Sequence, residues 1–424
     1  MNYNQAVEYM FSLQKFGIKL GLNSTENLLE ALGRPHDHLK ILHLAGTNGK
    51  GSVGAMVCAI LGRAGYKVGF YTSPHLVSFR ERFALGGEMI SEEDVTRLAG
   101  MVLSVCRPEE PPTFFEFVTA MAFQYFYERR VDLAVMETGL GGRLDATNVA
   151  RPLVGVITNI ALEHTEHLGP TLVSIAREKA GIIKPGMLVV TGERRPRLRA
   201  LFDETARDRS AELAVLGRDF QVRSNRAGGF DYRGLSLRLK NLRTNLAGRH
   251  QVVNAALALA ALEGLGRKGF NAGEADIRAG LTSVRWPARA ELRPGGPGRP
   301  DLMLDGAHNP AAAKVLARLL RDMKYHRLHL VLGIMADKDV TGIMAPLLPL
   351  AQVLYLTRPV YFRAAEPEAL AALAQGFPGP VSVHRTVPQA LEAASAAAGP
   401  GDLVLVTGSL FTVGEALKHL ASCG

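Results

Sequence analysis

One glycine-rich stretch of the chain has the residue types of a phosphate-binding loop: Gly46, Thr47, Asn48, Gly49, Lys50, Gly51 and Ser52. It lies between an apolar segment typical of a strand and an apolar segment typical of a helix. Glycines let several backbone N–H groups point inward, a lysine supplies positive charge for the β- and γ-phosphates, and the helix N-terminus adds its dipole. The order of strand, loop and helix favours a triphosphate site over a tight turn with a solvated lysine.

The spacing of this loop departs from the usual P-loop pattern in two places. Leu44 stands where the first glycine is expected, and Gly51 separates Lys50 from Ser52. The sequence therefore leaves open whether Ser52 contacts a metal ion.

Three further polar residues, Ser73, Glu137 and His164, follow other segments that are typical of parallel strands. The carboxyl ends of parallel strands converge on one crevice, so these side chains can meet although they are far apart in sequence. A hydroxyl, a carboxylate and an imidazole suit Mg²⁺ that bridges phosphate oxygens. Each residue alone could be an ordinary turn or loop residue, but their shared placement predicts a metal site.

Two neighbouring features could complete this site. The stretch 139–148 combines glycines with Arg143 and Asp145, which indicates a loop pressed against a ligand, although a surface loop could have the same composition. Lys179 lies on a predicted helix, 15 residues after His164. Spacing alone favours a solvated lysine paired with a helical neighbour over a lysine directed at the metal.

The elements that must position these residues predict an α/β fold with a mostly parallel, doubly wound sheet. From about residue 40, short apolar segments alternate with helical ones. The expected strands are 41–45, 68–72, 133–137, 154–159 and 187–191, and the expected helices include 52–64, 114–128, 172–183 and 251–264. Between residues 218 and 239, alternating polar and apolar residues around glycines predict a small antiparallel β insertion.

A second α/β domain is expected after this region. The Pro- and Gly-rich stretch 294–300 cannot continue regular structure, so we place the domain boundary close to Arg285. Apolar strands then recur at 302–304, 328–332, 353–356 and 403–407, between Ala- and Leu-rich helices. The expected domains are therefore residues 1–284 and 285–424.

Composition excludes several classes of protein. The 424 residues are 47% apolar and 21% charged, with a net charge of +9, which excludes a disordered or fibrous chain. No apolar run reaches the length of a membrane span, and the N-terminus lacks the pattern of an export signal. Cys58, Cys106 and Cys423 are too far apart for a local zinc cluster. We expect a cytoplasmic protein without a membrane or nucleic-acid partner, whose basic surface suits small polyanions.

Taken together, the motifs resemble those of the folylpolyglutamate synthase/dihydrofolate synthase family, within the Mur ligase superfamily. They occur in that family's order along nearly the whole chain, at residues 46–52, 71–76, 79–82, 137–145, 178–182, 250–255, 305–310 and 337–339. The most specific are Gly-Leu-Gly-Gly-Arg-Leu-Asp at 139–145 and Asp-Gly-Ala-His-Asn-Pro at 305–310.

The resemblance implies a fold and an activity. The fold would be a P-loop, Mur-ligase-like ATP-binding domain with a mostly parallel sheet and a small β insertion, followed by a C-terminal Rossmann-like α/β ligase domain. The activity would be ATP-dependent ligation of L-glutamate to dihydropteroate, to the γ-carboxyl of a reduced folate, or to both, through an acyl phosphate. A monomer is implied as well.

The resemblance also implies roles for the residues of the first domain. Lys50 would hold the phosphates, Ser73 and Glu137 would hold a first Mg²⁺, and His164 would help to hold a second. Lys179 matches a lysine that this family carries as a carbamate, which converts a cation into an anionic oxygen ligand. Lys50, His164 and Lys179 would then be the catalytic residues, in contrast to the solvated Lys179 that spacing alone favours.

Four more residues would contact the nucleotide by the same resemblance: Asn254 in the first domain and Arg289, Asp305 and His308 in the second. One position departs from the pattern, because Glu163 stands where an aspartate is expected before the histidine. The carboxylate is kept, but its geometry can differ.

Three other functions remain open. A cell-wall Mur ligase would carry an N-terminal nucleotide-sugar domain, whereas here the phosphate loop begins at residue 46. A P-loop kinase or nucleotide-gated switch would explain residues 46–52 but would not require the second domain or the motif at 305–310. A non-catalytic nucleotide-binding module is the least favoured, because it does not need the full set of polar groups.

Overall fold

The computed structural model describes residues 1–19, 21–225 and 228–422, so Cys423 lies outside the described residues. The chain divides into two compact units. The first unit comprises Met1–His75, Phe79–Asn245 and Gln251–Arg285, and the second comprises Leu76–Ser78, Leu246–His250 and Trp286–Gly424. The division into domains 1–284 and 285–424 stays a prediction.

The elements up to Arg285 alternate between strands and helices through most of their length. The helices are α1 (Tyr3–Ser12), α2 (Asn23–Ala31), α3 (Lys50–Arg63), α4 (Glu92–Val105), α5 (Phe114–Glu128), α6 (Thr165–Leu168), α7 (Leu172–Ala180), α8 (Pro196–Asp208), α9 (Arg249–Gly266) and α10 (Glu274–Ser283). The strands are β1 (Ile41–Ala45), β2 (Val68–Tyr71), β3 (Phe83–Leu85), β4 (Glu88–Met89), β5 (Leu133–Glu137), β6 (Val154–Ile157), β7 (Leu188–Thr191), β8 (Glu212–Val215), β9 (Gln221–Ser224), β10 (Phe230–Arg233) and β11 (Arg238–Leu242).

The predicted strands at 41–45 and 133–137 and the predicted helix at 114–128 are confirmed without change. The other predicted elements of this part exist, with ends shifted by one to three residues. The strand after residue 154, for example, ends at Ile157 instead of residue 159, because the next two residues turn to bond the loop after β1. Periodicity therefore located the elements, and side-chain hydrogen bonds set their ends.

The first sheet has eight strands in the order β4-β3-β2-β5-β1-β6-β7-β8. The strands from β2 to β8 in this order run parallel, and the short β3 and β4 are antiparallel. Strand β1 lies at the centre, with Leu44 opposite Glu137 of β5 and Ala45 opposite Ile157 of β6. The carboxyl ends of β1, β2, β5 and β6 therefore share one edge, which we call the carboxyl edge.

Apolar sequence on both faces explains why this sheet is interior. Strands β1, β5 and β6 are buried along their whole length, as expected for parallel strands covered by helices on both sides. Helix α9 is buried almost all round between Asn254 and Leu265, so it lies inside the unit. Along the described chain, no helix combines the length and the apolar content that crossing a membrane requires.

The predicted β insertion is present as a three-stranded antiparallel sheet in the order β11-β10-β9. A buried carboxylate on α9 fastens it to the rest of the unit. Glu263 accepts hydrogen bonds from Tyr232 Oη at 2.7 Å, from Leu235 N at 3.0 Å and from Leu237 N at 2.6 Å. Ser236 donates to the same carboxylate from its backbone N at 2.6 Å and from its hydroxyl at 3.0 Å.

The second unit contains the predicted second α/β fold. Its elements are β12 (Glu291–Arg293), β13 (Asp301–Leu304), α11 (Pro310–Asp322), β14 (Leu328–Leu332), α12 (Val340–Met344), β15 (Val353–Leu356), α13 (Pro367–Leu373), β16 (Val381–Val383), α14 (Val387–Ala397), β17 (Leu403–Thr407) and α15 (Leu410–Ser422). They form a sheet in the order β12-β13-β17-β14-β15-β16, in which only β12 is antiparallel. The predicted fold class, a mostly parallel α/β sheet with a small β insertion followed by a Rossmann-like α/β fold, is confirmed.

We expect Glu263→Gln to lower the free energy of unfolding by about 2 kcal/mol, because the new amide N–H group would face backbone N–H donors in a buried site. Urea unfolding followed by circular dichroism would measure this. Glu274→Gln is the control: Glu274 forms an exposed ion pair with Arg278 at 2.6 Å, and exposed pairs contribute about 0.5 kcal/mol or less. Equal unfolding midpoints for the two variants would contradict the prediction.

Candidate functional site

The phosphate loop, residues 46–52, begins directly after β1 and enters α3 at Lys50. Two of its glycines have φ angles that side chains rarely adopt, 140° at Gly46 and 90° at Gly49. A Cβ on Gly46 would lie 1.8 Å from Thr158 Oγ1, and one on Gly49 would lie 2.6 Å from Asn254 Oδ1. Both positions therefore require glycine, and Asn254 of α9 lies directly against the loop.

The segment after β6, residues 158–161, holds the loop in place. Thr47 N donates to Asn159 O at 2.9 Å, and Asn48 N donates to Asn159 Oδ1 at 3.1 Å. The side chains of Thr158 and Asn159 both donate to Asn48 O, at 2.7 and 2.8 Å. Ala161 N donates to Thr47 Oγ1 at 3.0 Å. The segment after β6 therefore fixes the conformation of the loop together with the loop's own glycines.

Two lysine side chains converge on this loop. Lys50 Nζ donates to Gly46 O at 3.0 Å, and Lys179 Nζ donates to the same oxygen at 3.0 Å. Lys50 Nζ also lies 3.4 Å from Thr47 O and 3.8 Å from Glu137 Oε1. The first turn of α3, the end of β5 and α7 therefore contribute charged groups to one small volume at the carboxyl edge.

The interpretation of Lys179 from spacing alone, as a solvated lysine, is wrong. Its side chain is buried, with 5% of the residue exposed, and it points to Gly46 instead of solvent. Burial and, to a smaller extent, the nearby positive charge of Lys50 lower the pKa of Lys179 to about 7, although Glu163 and Asp145 act in the opposite direction. The uncharged amine is therefore far more accessible here than in a solvated lysine.

Close packing between α7 and the loop 139–148 directs Lys179 inward. A Cβ on Gly142 would lie 2.9 Å from Glu178 O, and a Cβ on Gly181 would lie 2.4 Å from Arg143 Cα. Arg143 N donates to Glu178 O at 2.7 Å. The loop thus lies on the last turn of α7, and protein atoms account for the glycine at 142, where the sequence suggested a ligand.

Asp145 organises the loop internally. Its buried carboxylate accepts from Leu140 N at 2.8 Å and from Thr147, through N at 3.0 Å and Oγ1 at 2.5 Å. Burial raises the pKa of Asp145, and these hydrogen bonds act against that rise. Asp145 therefore fastens the loop to itself, and the contact of this loop with a ligand stays a prediction.

Glu137 ends β5, and Ser73 lies two residues after the end of the neighbouring strand β2. Strand β2 pairs with β5, with Tyr71 opposite Met136, so the next residues of both strands reach the carboxyl edge together. Glu137 is buried and accepts a hydrogen bond from the Thr72 hydroxyl. Ser73 follows directly and is half-buried.

His164 reaches the same edge from β6, on the other side of β1. Its backbone is left-handed, with φ of 52°, and it starts the short helix α6. Its Nε2 lies 3.9 Å from Glu163 Oε1, and its side chain is 37% exposed. The structure thus brings Lys50, Lys179 and Glu137 into one cluster. Ser73 follows β2 and His164 follows β6, and the strands β5 and β1 lie between these two strands.

Arg289, Asp305 and His308 lie near one another in the second unit. Asp305 follows β13 and accepts from Ala290 N at 2.8 Å. Burial raises the pKa of Asp305, and the positive charge of Arg289 opposes the rise. A Cβ on Gly306 would lie 2.9 Å from an Arg289 guanidinium nitrogen, and His308 Nδ1 lies 2.8 Å from Gly306 O. These three predicted residues therefore form a second polar group at the end of β13.

Three residues that position the site were missed by the sequence interpretation: Thr72, Thr158 and Asn159. Thr72 and Thr158 stand directly after β2 and β6 at the carboxyl edge, and Asn159 follows Thr158. The same rule that selected Ser73 and Glu137, a polar residue where a parallel strand ends, would have found them.

The donor set suits a magnesium ion that completes its coordination with phosphate oxygens and water. Among the described residues, no three His, Cys, Asp or Glu side chains form a ready-made metal cluster. Ser52 Oγ is buried and has no hydrogen-bond partner among the described residues, so this hydroxyl is available to a ligand. Ser73, Glu137, His164 and Lys179 are the other residues that could hold the ion.

Two protein families match the chain: the Mur ligase middle domain over residues 44–262 and the Mur ligase glutamate ligase domain over residues 288–410. Dihydrofolate synthase/folylpolyglutamate synthase of Bacillus subtilis is 33% identical, over 99% of this chain and 99% of that protein. A probable bifunctional folylpolyglutamate synthase/dihydropteroate synthase of Haloferax volcanii is 36% identical over 98% of this chain. The chain spans about half the length of that relative, with 50% of it covered.

Solved structures resemble the chain over its whole length. Escherichia coli FolC in complex with DHPP and ADP has a TM-score of 0.91 and 33% identity, covering 100% of this chain and 98% of that one. A bifunctional folylpolyglutamate synthase/dihydrofolate synthase with Mn, AMPPNP and L-glutamate bound has a TM-score of 0.87 and 32% identity, covering 98% of both chains.

The lowered pKa of Lys179 predicts a pH-dependent stability. Because the pKa falls on folding from its ordinary value of 10.5 to about 7, the unfolded chain binds more protons between these pH values, and stability rises with pH there. From pH 7 to pH 9, in CO₂-free buffer, the unfolding free energy of the wild-type protein should rise by about 2 kcal/mol relative to Lys179→Met.

Urea unfolding at several pH values would measure this difference. Lys268→Met, at an exposed lysine, is the control and should keep the wild-type pH dependence. Parallel curves for the wild type and Lys179→Met would show that Lys179 stays charged when folded.

Proposed function

Because the chain belongs to the folylpolyglutamate synthase/dihydrofolate synthase family of Mur ligases, we propose that it is an ATP-dependent ligase that joins L-glutamate to a pterin-linked carboxylate. The acceptor is dihydropteroate, the γ-carboxyl of a reduced folate, or both. The ADP, DHPP, AMPPNP, Mn and L-glutamate of the solved relatives support these substrates and a divalent metal.

One observation carries the proposal: two lysine amines and a buried carboxylate meet at the phosphate loop. Lys50 and Lys179 bind the same carbonyl oxygen of Gly46, and Lys50 lies 3.8 Å from Glu137. A cluster with this charge suits phosphoryl transfer, because the acceptor carboxylate and the triphosphate are both anions and their negative charges must be offset. A simple glycine-rich turn would not bury a second lysine.

The reaction follows from the chemistry of a carboxylate, which is a poor acyl donor because its leaving group would be oxide. A carboxylate oxygen attacks the γ-phosphorus of ATP, and ADP leaves. The amine of glutamate then attacks the acyl carbon, loses a proton, and the C–O bond to phosphate breaks. Lys50 would stabilise the negative charge that accumulates on the transferring group, and the glycines of the loop let its backbone approach the phosphates.

Mg²⁺, when bound, supplies further positive charge to the phosphate oxygens. Ser73 and Glu137 would hold a first ion and His164 a second. For Lys179 we propose a carbamate: its neutral amine attacks CO₂, an N–C bond forms, and a proton is released. The carbamate places an anion beside the cation of Lys50, so the two groups attract each other, and it adds an oxygen ligand.

We also propose roles for four residues that would contact the nucleotide. Asn254 would contact the nucleotide from the first unit, and Arg289, Asp305 and His308 would do so from the second. We also propose a cytoplasmic monomer that works without nucleic acid or membrane.

The proposed activity predicts that glutamate is incorporated only when ATP and a pterin acceptor are both present. Purified protein would receive ATP, Mg²⁺ and L-glutamate, with dihydropteroate in one reaction and a reduced folate monoglutamate in the other. Mass spectrometry should show products heavier by one glutamyl unit, with ADP and phosphate released. Gain in both reactions means a bifunctional enzyme, which we expect, and gain with the folate alone means a polyglutamylating enzyme.

Lys50→Ala should reduce turnover about 100-fold or more, because its charge faces the transferring phosphoryl group. Lys268→Ala, at an exposed lysine, should leave turnover unchanged. If neither acceptor gains glutamate, or ATP is split equally fast without glutamate, the ligase assignment fails and a P-loop kinase or switch becomes the better one.

The carbamate on Lys179 has its own test. In buffer with ¹³C-bicarbonate, the wild-type protein should show a carbamate carbon in the ¹³C spectrum that is missing in Lys179→Ala. That variant should lose activity, and small carboxylates such as acetate should restore part of it. Full activity in Lys179→Ala, or a bare amine in a nucleotide-bound crystal structure at high resolution, would exclude the carbamate.

A further inference from the structure

The turn that follows β7, residues 191–195, packs against the segment 158–161 that holds the phosphate loop. Thr191 Oγ1 donates to Ile157 O at 2.8 Å and accepts from Glu193 N at 3.1 Å. A Cβ on Gly192 would lie 2.5 Å from Thr158 O, so the two backbones are in direct contact. The turn therefore continues the sheet contact between β6 and β7 beyond the ends of both strands.

Within this turn, Glu193 and Arg195 form an ion pair that contacts the backbone of Ile160. Glu193 Oε2 lies 2.5 Å from an Arg195 guanidinium nitrogen, and Glu193 Oε1 accepts from Arg195 Nε and from Arg195 N, both at 2.8 Å. The Arg195 guanidinium donates to Ile160 O, and the backbone N–H group of Ile160 helps to lower the pKa of the Glu193 carboxyl. The pair is thus bonded to the peptide group that follows Ile160.

Glu193 is 4% exposed, so its charge is held inside the protein by these bonds. Burial acts to raise the pKa of Glu193, but the hydrogen bonds from Arg195 and Ile160 outweigh it and the pKa is lowered. Removing one residue of a buried ion pair leaves the charge of the other without a partner, so the pair holds Ile160 only when both residues are present.

Ile160 lies between residues that are themselves bonded to the phosphate loop. Its neighbour Asn159 bonds the backbone of Asn48, and its other neighbour Ala161 bonds the hydroxyl of Thr47. Four residues after Ile160 the same segment reaches His164. A shift of Ile160 would therefore be transmitted to the loop in one direction and to His164 in the other.

We propose that Glu193 and Arg195 are positioning residues for the nucleotide and metal site: they hold residues 158–164 so that the phosphate loop and His164 keep the spacing that a magnesium–nucleotide complex requires. The proposal rests on the function proposed above, because it takes the phosphate loop and His164 as parts of the site. It assigns the pair no contact with substrate.

The test compares Glu193→Gln and Arg195→Lys with a matched ion pair that belongs to the second unit. Asp402 and Arg327 in the second unit form a 2.8 Å pair in which the carboxylate side chain is 4% exposed and the arginine 54%, against 4% and 44% for Glu193 and Arg195. Asp402→Asn is therefore the control. Each protein would be examined by thermal unfolding, by calorimetric binding of ADP with and without Mg²⁺, and by hydrogen exchange of residues 158–164.

We expect both variants of the pair to raise the Kd for magnesium–ADP about 10-fold, the order found when groups behind metal ligands are removed. Amides in residues 158–164 should lose protection from exchange in the absence of any ligand. Asp402→Asn should lower the unfolding temperature without changing magnesium–ADP binding or exchange in that segment. If Glu193→Gln does not fold, Arg195→Lys decides, since it keeps the charge and loses the forked geometry.

The proposal is overturned if the variants lower the unfolding temperature but bind magnesium–ADP, and protect residues 158–164, as the wild type does. Such a result would make the pair purely structural. A wild-type protein that binds magnesium–ADP but adds no glutamate to either acceptor would sink the proposed function, while the binding and exchange results would still judge the positioning role.

Discussion

The convergence of two lysine amines on the carbonyl oxygen of Gly46 is the constraint on which the rest of the site depends. Lys50 and Lys179 each lie 3.0 Å from that oxygen, so two groups that can carry positive charge share a small, largely buried volume. Like charges at this range repel strongly where water is scarce. Three features relieve the repulsion: a carboxylate 3.8 Å from Lys50, a pKa of Lys179 lowered to about 7, and, by the proposed function, a polyanionic substrate. The net charge of +9 on the whole chain also favours a polyanionic substrate.

Holding Lys179 at that position requires α7 to lie unusually close to the loop after β5. Glycines permit this, because any side chain on Gly142 or Gly181 would collide with the backbone or Cβ of the opposite segment. Asp145 then folds the loop on itself through three hydrogen bonds, so the surface that α7 packs on is already rigid. Substituting these glycines would therefore act on the reaction through the position of a lysine that lies on another element.

The sequence predicted the α/β architecture, the phosphate loop and the convergence of polar strand ends, because each depends on local pattern and on the geometry of parallel sheets. Lys179 shows where this reasoning stops. Its partner Gly46 is 133 residues away, and the helix that carries it has the amphipathic pattern of an ordinary surface helix, so spacing gave a solvated side chain. Only the resemblance to a family pointed to the metal. No sequence pattern indicated a role for Glu193 and Arg195, because an Arg-rich segment is typical of a solvated basic surface. Their role follows only from the contact between Arg195 and Ile160.

The choice between lysine and arginine follows from the same electrostatics. In the second unit, Arg289 stands between Ala288 and Ala290, whose φ angles of 57° and 49° are uncommon for alanine and cost on the order of 1–3 kcal/mol each. Ala290 N donates to the Asp305 carboxyl, which holds this backbone against the end of β13. An arginine keeps its charge at every physiological pH, so Arg289 is a permanent cation. A lysine can lose its proton when buried, burial lowers the pKa of Lys179 to about 7, and only an uncharged amine can react with CO₂. An arginine at 179 would keep two fixed positive charges at Gly46 and could not become an anionic ligand, so the chemistry proposed for this site depends on lysine there.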